Sequence, residues 1–228
     1  MVCNRSAVLL AFWLVIILSA CDSQKSPKTT AAHGMVVTAH PAASNVGRDV
    51  LKAGGNAVDA AIATQFALAV TYPTAGNIGG GGFMVARMDT TLTTLDFRER
   101  APLRATRTMF QNAQGTPVPS KSLKGHLAAG VPGTVDGMVR AHQRWGTIPF
   151  EKLLSPAVDL AAHGFSITSS QAQRFNTYVD EFQQYSTFAP KPFLKPTAWQ
   201  KNDTLKQPAL ARTLGRIQDH KRAGFYQG

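Results

Sequence analysis

From Ala7 to Leu18 every position is apolar (AVLLAFWLVIIL), with Arg5 just ahead of the run. As a helix it spans about 18 Å at about 1.5 Å per residue. A bilayer core is about 30 Å thick, so the run suits a secretory signal better than a membrane span. Residues 22–32 (DSQKSPKTTAA) are polar and structure-poor, as in a tether. Residues 33–39 (HGMVVTA) form a short apolar strand candidate. Pro41 opens a helix to about Lys52, with Ala43, Val46, Val50 and Leu51 on one side, and Gly54-Gly55 stops it. Asn56 is a good N-cap for the next helix, 57–70. That helix carries one charge, Asp59, in its first turn, where the helix dipole favours an anion. It is otherwise apolar and small nearly all round, the pattern of a buried helix. Tyr72-Pro73 ends it.

Residues 83–88 and 92–97 read as two strands joined by a turn at Asp89-Thr90. Residues 111–133 are a loop rich in Gly, Pro and Ser. Beyond Gly133 the pattern turns helical, with candidates at 134–145, 150–162, about 168–185 and 208–220. Residues 186–203 are Pro-rich and irregular. No internal repeat is present, and the periodicities give an α+β or α/β core.

Composition narrows the chemistry. The 228 residues are 44% apolar, enough for a packed core. Lys and Arg outnumber Asp and Glu by 24 to 13, a net charge of +11. The cations are scattered, with no dense run and no aromatic interleaving, so nucleic acid is not an expected partner. A positive field beside an anionic membrane, or steering of anionic substrates, fits better. The two cysteines are Cys3 and Cys21. They exclude a disulfide scaffold, a Cys-based zinc site and a cysteine nucleophile from the body of the chain. The six histidines (His33, His40, His126, His142, His163, His220) show no metal-binding spacing, and no G-x-S-x-G elbow occurs. Gly-Thr occurs three times, at Thr116, Thr134 and Thr147, with nothing to mark any as a nucleophile.

Leu18-Ser19-Ala20-Cys21 resembles a bacterial lipoprotein signal. Small residues at 19 and 20 fit a peptidase groove, and the Cys21 thiol can accept a diacylglyceryl group. Each buried CH₂ then contributes about 0.8 kcal/mol to anchoring. The other reading is an ordinary signal peptide with a coincidental cysteine. The expected division is signal peptide 1–20, lipidated Cys21 with tether 21–33, and folded region 34–228. The expected location is the periplasmic side of a bacterial membrane, lipid-anchored at Cys21.

Two features invite chemistry. The run Gly76-Asn77-Ile78-Gly79-Gly80-Gly81-Gly82-Phe83 is glycine-rich, yet no G-x-G-x-x-G fits it and no Gly-Lys-[Ser/Thr] follows. It also follows a helix and precedes a strand, the reverse of phosphate-binding order. Close backbone packing near a site is the better reading. In Asp96-Phe97-Arg98-Glu99-Arg100-Ala101-Pro102, Arg98 lies at a strand end. Its planar fork matches a carboxylate ligand; equally, it can pair with Asp96 or Glu99 on a solvated edge.

The blocks Val50-Leu51-Lys52-Ala53-Gly54-Gly55-Asn56-Ala57-Val58-Asp59-Ala60-Ala61, Ala75-Gly76-Asn77-Ile78-Gly79-Gly80-Gly81-Gly82-Phe83-Met84, Asp96 to Pro102 and Gly130-Val131-Pro132-Gly133-Thr134-Val135 together resemble the γ-glutamyltranspeptidases. The resemblance runs from about residue 34 to the last. It implies an N-terminal-nucleophile hydrolase fold, an αββα sandwich, and a precursor that cleaves itself into a large and a small subunit. It implies that the small subunit's new N-terminal threonine attacks the γ-glutamyl amide of glutathione and related compounds. The acyl-enzyme then passes the γ-glutamyl group to water or an amino acid. No metal or other cofactor is implied. Arg98 matches the arginine that binds the substrate's α-carboxylate, and the glycine run matches a block to which we assign packing.

The family's precursors are more than twice as long, and the nucleophilic threonine belongs to a part beyond Gly228. The chain is therefore expected to be an N-terminal portion of the large subunit, with an incomplete sandwich, no catalytic residue of its own and no activity alone. The missing C-terminal part and the small subunit are its expected partners. Two alternatives stand beside this reading: a cephalosporin or glutaryl acylase of the same fold, and a non-catalytic lipoprotein that binds small anionic ligands.

Overall fold

The structure is a computed structural model that describes residues 30–185 and 191–227. The signal region and Cys21 lie outside the described residues. The chain divides into two compact units, Met1–Gly34 and Met35–Gly228, and the elements below belong to the second.

Helix α1 (Pro41–Lys52) starts at His40, whose Nδ1 accepts the Ala42 N–H at 3.3 Å. Its inner face buries Ala43, Gly47 and Val50. Helix α2 (Ala57–Thr71) starts with a capping box. Asn56 Oδ1 accepts the N–H groups of Val58 (2.8 Å) and Asp59 (3.0 Å), and Asp59 Oδ2 accepts the Asn56 N–H at 3.0 Å. These bonds satisfy donors that a helix start leaves orphaned. As its pattern predicts, α2 is buried nearly all round, with Ile62, Ala63, Phe66, Ala67 and Val70 fully enclosed.

Asp59 does more than sit in a favourable dipole. Its carboxylate also accepts the N–H groups of Thr147 at 3.0 Å and Ile148 at 3.4 Å, along with the Thr147 hydroxyl. Burial pushes the carboxyl pKa up, but the hydrogen bonds from Thr147, Asn56 and Ile148 outweigh it and hold the group below its usual range. One ionised side chain thus ties the start of α2 to a loop 88 residues away.

Strands β1 (Phe83–Met88) and β2 (Thr91–Asp96) form an antiparallel hairpin, registered Phe83↔Asp96 through Met88↔Thr91. Asp89 takes φ 52° at the turn. Met84, Met88 and Leu95 pack against the core, while Phe83 and Val85 alternate to the exposed face. The loop that follows holds a short helix α3 (Ser120–Leu123) and a 3₁₀ turn (His126–Ala128), which the sequence reading left irregular. Then come α4 (Thr134–Trp145), α5 (Phe150–His163), β3 (Phe165–Ser166), α6 (Ser169–Thr177), α7 (Val179–Tyr185), β4 (Thr204–Leu205), α8 (Pro208–His220) and α9 (Ala223–Tyr226). Helix α2 is central, packed against α1, α4 and α5, and α8 covers α5. Phe66 and Phe150 meet edge to face across the α2–α5 contact.

Two expectations fail. Residues 33–39 are not a strand; among the described residues they have no ladder partner, and Val37 is 82% exposed. Thr38 instead closes a local turn, its hydroxyl donating to the His40 carbonyl at 2.8 Å. The single helix expected at 168–185 is two, broken at Tyr178, where ψ turns to 16°. Among the described residues no helix is long and apolar enough to cross a membrane. The fold is α+β, with two two-stranded sheets among the described residues.

Candidate functional site

The site grows from the segment that continues β2. Phe97 still pairs with the glycine run, its N–H donating to the Gly82 carbonyl at 3.0 Å. Three residues on, Arg100 exchanges two hydrogen bonds with Val131, at 3.1 and 2.8 Å. The loop before α4 closes back on the glycines, because the N–H groups of Gly133 (2.7 Å) and Thr134 (3.1 Å) both donate to the Gly80 carbonyl. Residues 97–100 therefore run between two pieces of backbone.

That sandwich explains the glycines. A Cβ on Gly81 would lie 2.7 Å from the Arg98 Cα and 2.8 Å from the Glu99 N. A Cβ on Gly133 would run into the carbonyl oxygens of Phe97 and Arg98. Real Cβ atoms do not approach backbone so closely, so only glycine lets the three segments meet. The expected packing role of the run is what the structure displays.

A cleft of about 200 Å³ opens beside this segment, lined by Asp96, Arg98, Arg100, residues 131–133, Asp136, Arg140, Arg222 and Tyr226. Arg98 is exposed, with its guanidinium carbon 5.8 Å from the centre of the Phe83 ring. Among the described residues it pairs with neither Asp96 nor Glu99. Asp96 instead accepts the Arg98 backbone N–H at 3.0 Å. Asp136 holds two of the cleft's other three guanidiniums, its Oδ1 taking Arg222 and its Oδ2 taking Arg140, each at 2.8 Å. Tyr226 accepts the Asp136 N–H at 3.2 Å and donates its hydroxyl to the Pro132 carbonyl at 2.8 Å. Burial, aided by the Asp136 charge, holds the Tyr226 hydroxyl above its usual range, so it remains a donor.

The cleft is therefore cationic, and two of its guanidiniums, Arg98 and Arg100, have no ion-pair partner among the described residues. It suits a carboxylate ligand. Among the described residues no cluster of His, Cys, Asp or Glu could hold a metal ion. The hydroxyls of Thr134 and Thr147 are engaged by Asn77 and Asp59. Sequence reasoning singled out Arg98 and missed Asp136, Arg222 and Tyr226. The last two lie 86 and 90 residues from Asp136 and come to it only through the fold.

Residues 43–228 match the Gamma-glutamyltranspeptidase family. The chain belongs to that family. A glutathione hydrolase proenzyme from Pseudomonas sp. (strain A14) is 44% identical over 225 residues, which cover 98% of this chain. The chain spans 39% of that relative's length. The Helicobacter pylori γ-glutamyltranspeptidase superposes with a TM-score of 0.84 at 45% identity, covering 89% of this chain and 58% of that one. A cephalosporin acylase from Bacillus halodurans shares the architecture at a TM-score of 0.70 and 29% identity, covering 91% of this chain and 41% of that one. The chain thus carries part of the N-terminal-nucleophile hydrolase fold of the γ-glutamyltranspeptidases.

Proposed function

We propose that this chain supplies the donor-binding wall of a γ-glutamyltransferase and glutathione hydrolase. The observation that carries the reading is Arg98, whose guanidinium has no ion-pair partner among the described residues and stands in a cationic cleft on a segment fixed between two stretches of backbone. It binds the α-carboxylate of glutathione and other γ-glutamyl donors. The nucleophile belongs to another part of the precursor, a threonine that takes the γ-glutamyl group as an ester and passes it to water or to an amino acid. Arg98 does not touch the scissile amide. It holds the donor's far end, a contact made alike before and during acyl transfer.

The acylase likeness favours one alternative, a glutaryl-type acyl donor. A glutaryl group keeps the terminal carboxylate and lacks only the α-amine, so Arg98 serves either. The enzyme matured from the full-length precursor should hydrolyse γ-glutamyl-p-nitroanilide at least tenfold better, in kcat/KM, than glutaryl-p-nitroanilide, because a site built for the amine leaves polar groups unpaired without it. The reverse preference would install the acylase reading.

We also propose that residues 1–20 are a signal peptide and that Cys21 is lipidated, which places the enzyme at the periplasmic side of a bacterial membrane. Support comes from the sequence Leu18-Ser19-Ala20-Cys21 alone. Radiolabelled palmitate should enter the wild-type chain and not Cys21→Ala; label in both removes the anchor from the account.

A further inference from the structure

Arg98 and Arg100 stand two apart in an extended segment, so their side chains leave the same face. The cleft agrees, because both line it and Glu99 between them does not. Their α-carbons are about 6.6 Å apart at about 3.3 Å per residue. Arg100 cannot drift from this position, since both its backbone N–H and its carbonyl are bonded to Val131. No acidic side chain among the described residues pairs with it. Of the cleft's two carboxylates, Asp136 is taken by Arg140 and Arg222, and Asp96 Oδ1 accepts the Arg98 backbone N–H and makes no ion pair with Arg98 or Arg100. Among the described residues, neither of these two guanidiniums facing the opening has an ion-pair partner.

We propose that Arg100 is a second binding residue for the donor's α-carboxylate, closing a two-guanidinium clamp with Arg98. The inference rests on the reading of Arg98 given above and extends it. A carboxylate offers two oxygens and about four lone-pair sites, so it accepts two guanidiniums without conflict. The cleft holds an example in Asp136, which takes one arginine on each oxygen. At about 200 Å³ the opening is smaller than the roughly 300–1,000 Å³ of sites that enclose whole ligands. It fits the charged head of a γ-glutamyl group and leaves the rest of the donor outside. A contact to that head is made equally before and during acyl transfer, so its loss raises KM and spares kcat.

The test uses the enzyme matured by self-cleavage of the full-length precursor, with hydrolysis of γ-glutamyl-p-nitroanilide measured in the absence of an acceptor. Arg100→Met is expected to raise KM about tenfold or more, the loss of one charge-assisted hydrogen-bonding partner, with kcat within about twofold. Arg100→Lys should recover part of the affinity, since it keeps the charge and loses the fork. Arg100→Gln replaces the Met variant if that protein is not recovered, with the same outcomes. Arg98→Met is the control. An unchanged KM at Arg100 beside a raised KM at Arg98 overturns the clamp and leaves the Arg98 reading standing. An unchanged KM for both overturns the two together. A fall in kcat at unchanged KM also overturns it, because Arg100 would then act on the reacting group.

Discussion

Gly133 has φ −109° and ψ −19°, a conformation open to any L-residue. Its restriction is purely one of space, because a methyl there would strike the Phe97 and Arg98 carbonyls. Gly133→Ala should therefore destabilise the precursor by about 1–3 kcal/mol, the range of overpacking, and displace the Arg98 segment. Urea unfolding would register a lower midpoint, and an unchanged midpoint would show that the segments are not in contact. The same segment explains what could be read from the sequence at this scale. Four consecutive glycines announce close backbone approach, and an arginine at a strand end leaves open a carboxylate ligand or a neighbouring acid. The partner of neither can be read locally. Asp96 accepts a backbone N–H only two residues on and Asp136 meets Arg140 one helical turn away, but the Asp136–Arg222 pair joins residues 86 positions apart.

At the scale of elements, caps and breakers carried most of the information. The limits of α1, α4 and α8 follow from local chemistry, namely proline at the first turn of α1 and α8 and glycine around α4. The failures were elements whose state depends on partners. Residues 33–39 have strand composition and no ladder partner among the described residues. The break at Tyr178 falls inside an unbroken helical pattern.

His40 shows an element junction with a pH dependence. Its Nδ1 accepts the Ala42 N–H, so Nε2 carries the proton and donates to Gln171 Oε1 at 3.2 Å. Gln171 in turn donates to the Thr71 carbonyl at 2.7 Å, joining the start of α1 to the end of α2. Burial lowers the His40 pKa below its ordinary 6.5, although the Gln171 bond opposes this. Below 6.5 the unfolded chain thus binds a proton that the folded chain refuses. Stability from this group is complete above that value and falls as pH drops through it towards the lower folded value. Urea midpoints from about pH 8 to about pH 5.5 should decline more steeply for wild type than for His40→Asn, which keeps an N-cap and does not titrate. Parallel declines would remove His40 from the acid sensitivity.

For the molecule as a whole, the hairpin turns Phe83 and Val85 outward, and Leu103 and Leu123 stand exposed in the following loop. Apolar surface of this kind drives association, so the chain by itself is expected to aggregate. The central claim concerns the cleft and is tested by one comparison in the enzyme matured from the full-length precursor. γ-Glutamyl-p-nitroanilide and 4-aminobutyryl-p-nitroanilide differ only in the α-carboxylate. Wild type should prefer the first by about a hundredfold or more in kcat/KM, as sites built around a polar group reject analogues lacking it. Arg98→Met should erase most of that preference by slowing the first substrate alone. A preference that survives intact in Arg98→Met would contradict the account, because the carboxylate would then be held elsewhere.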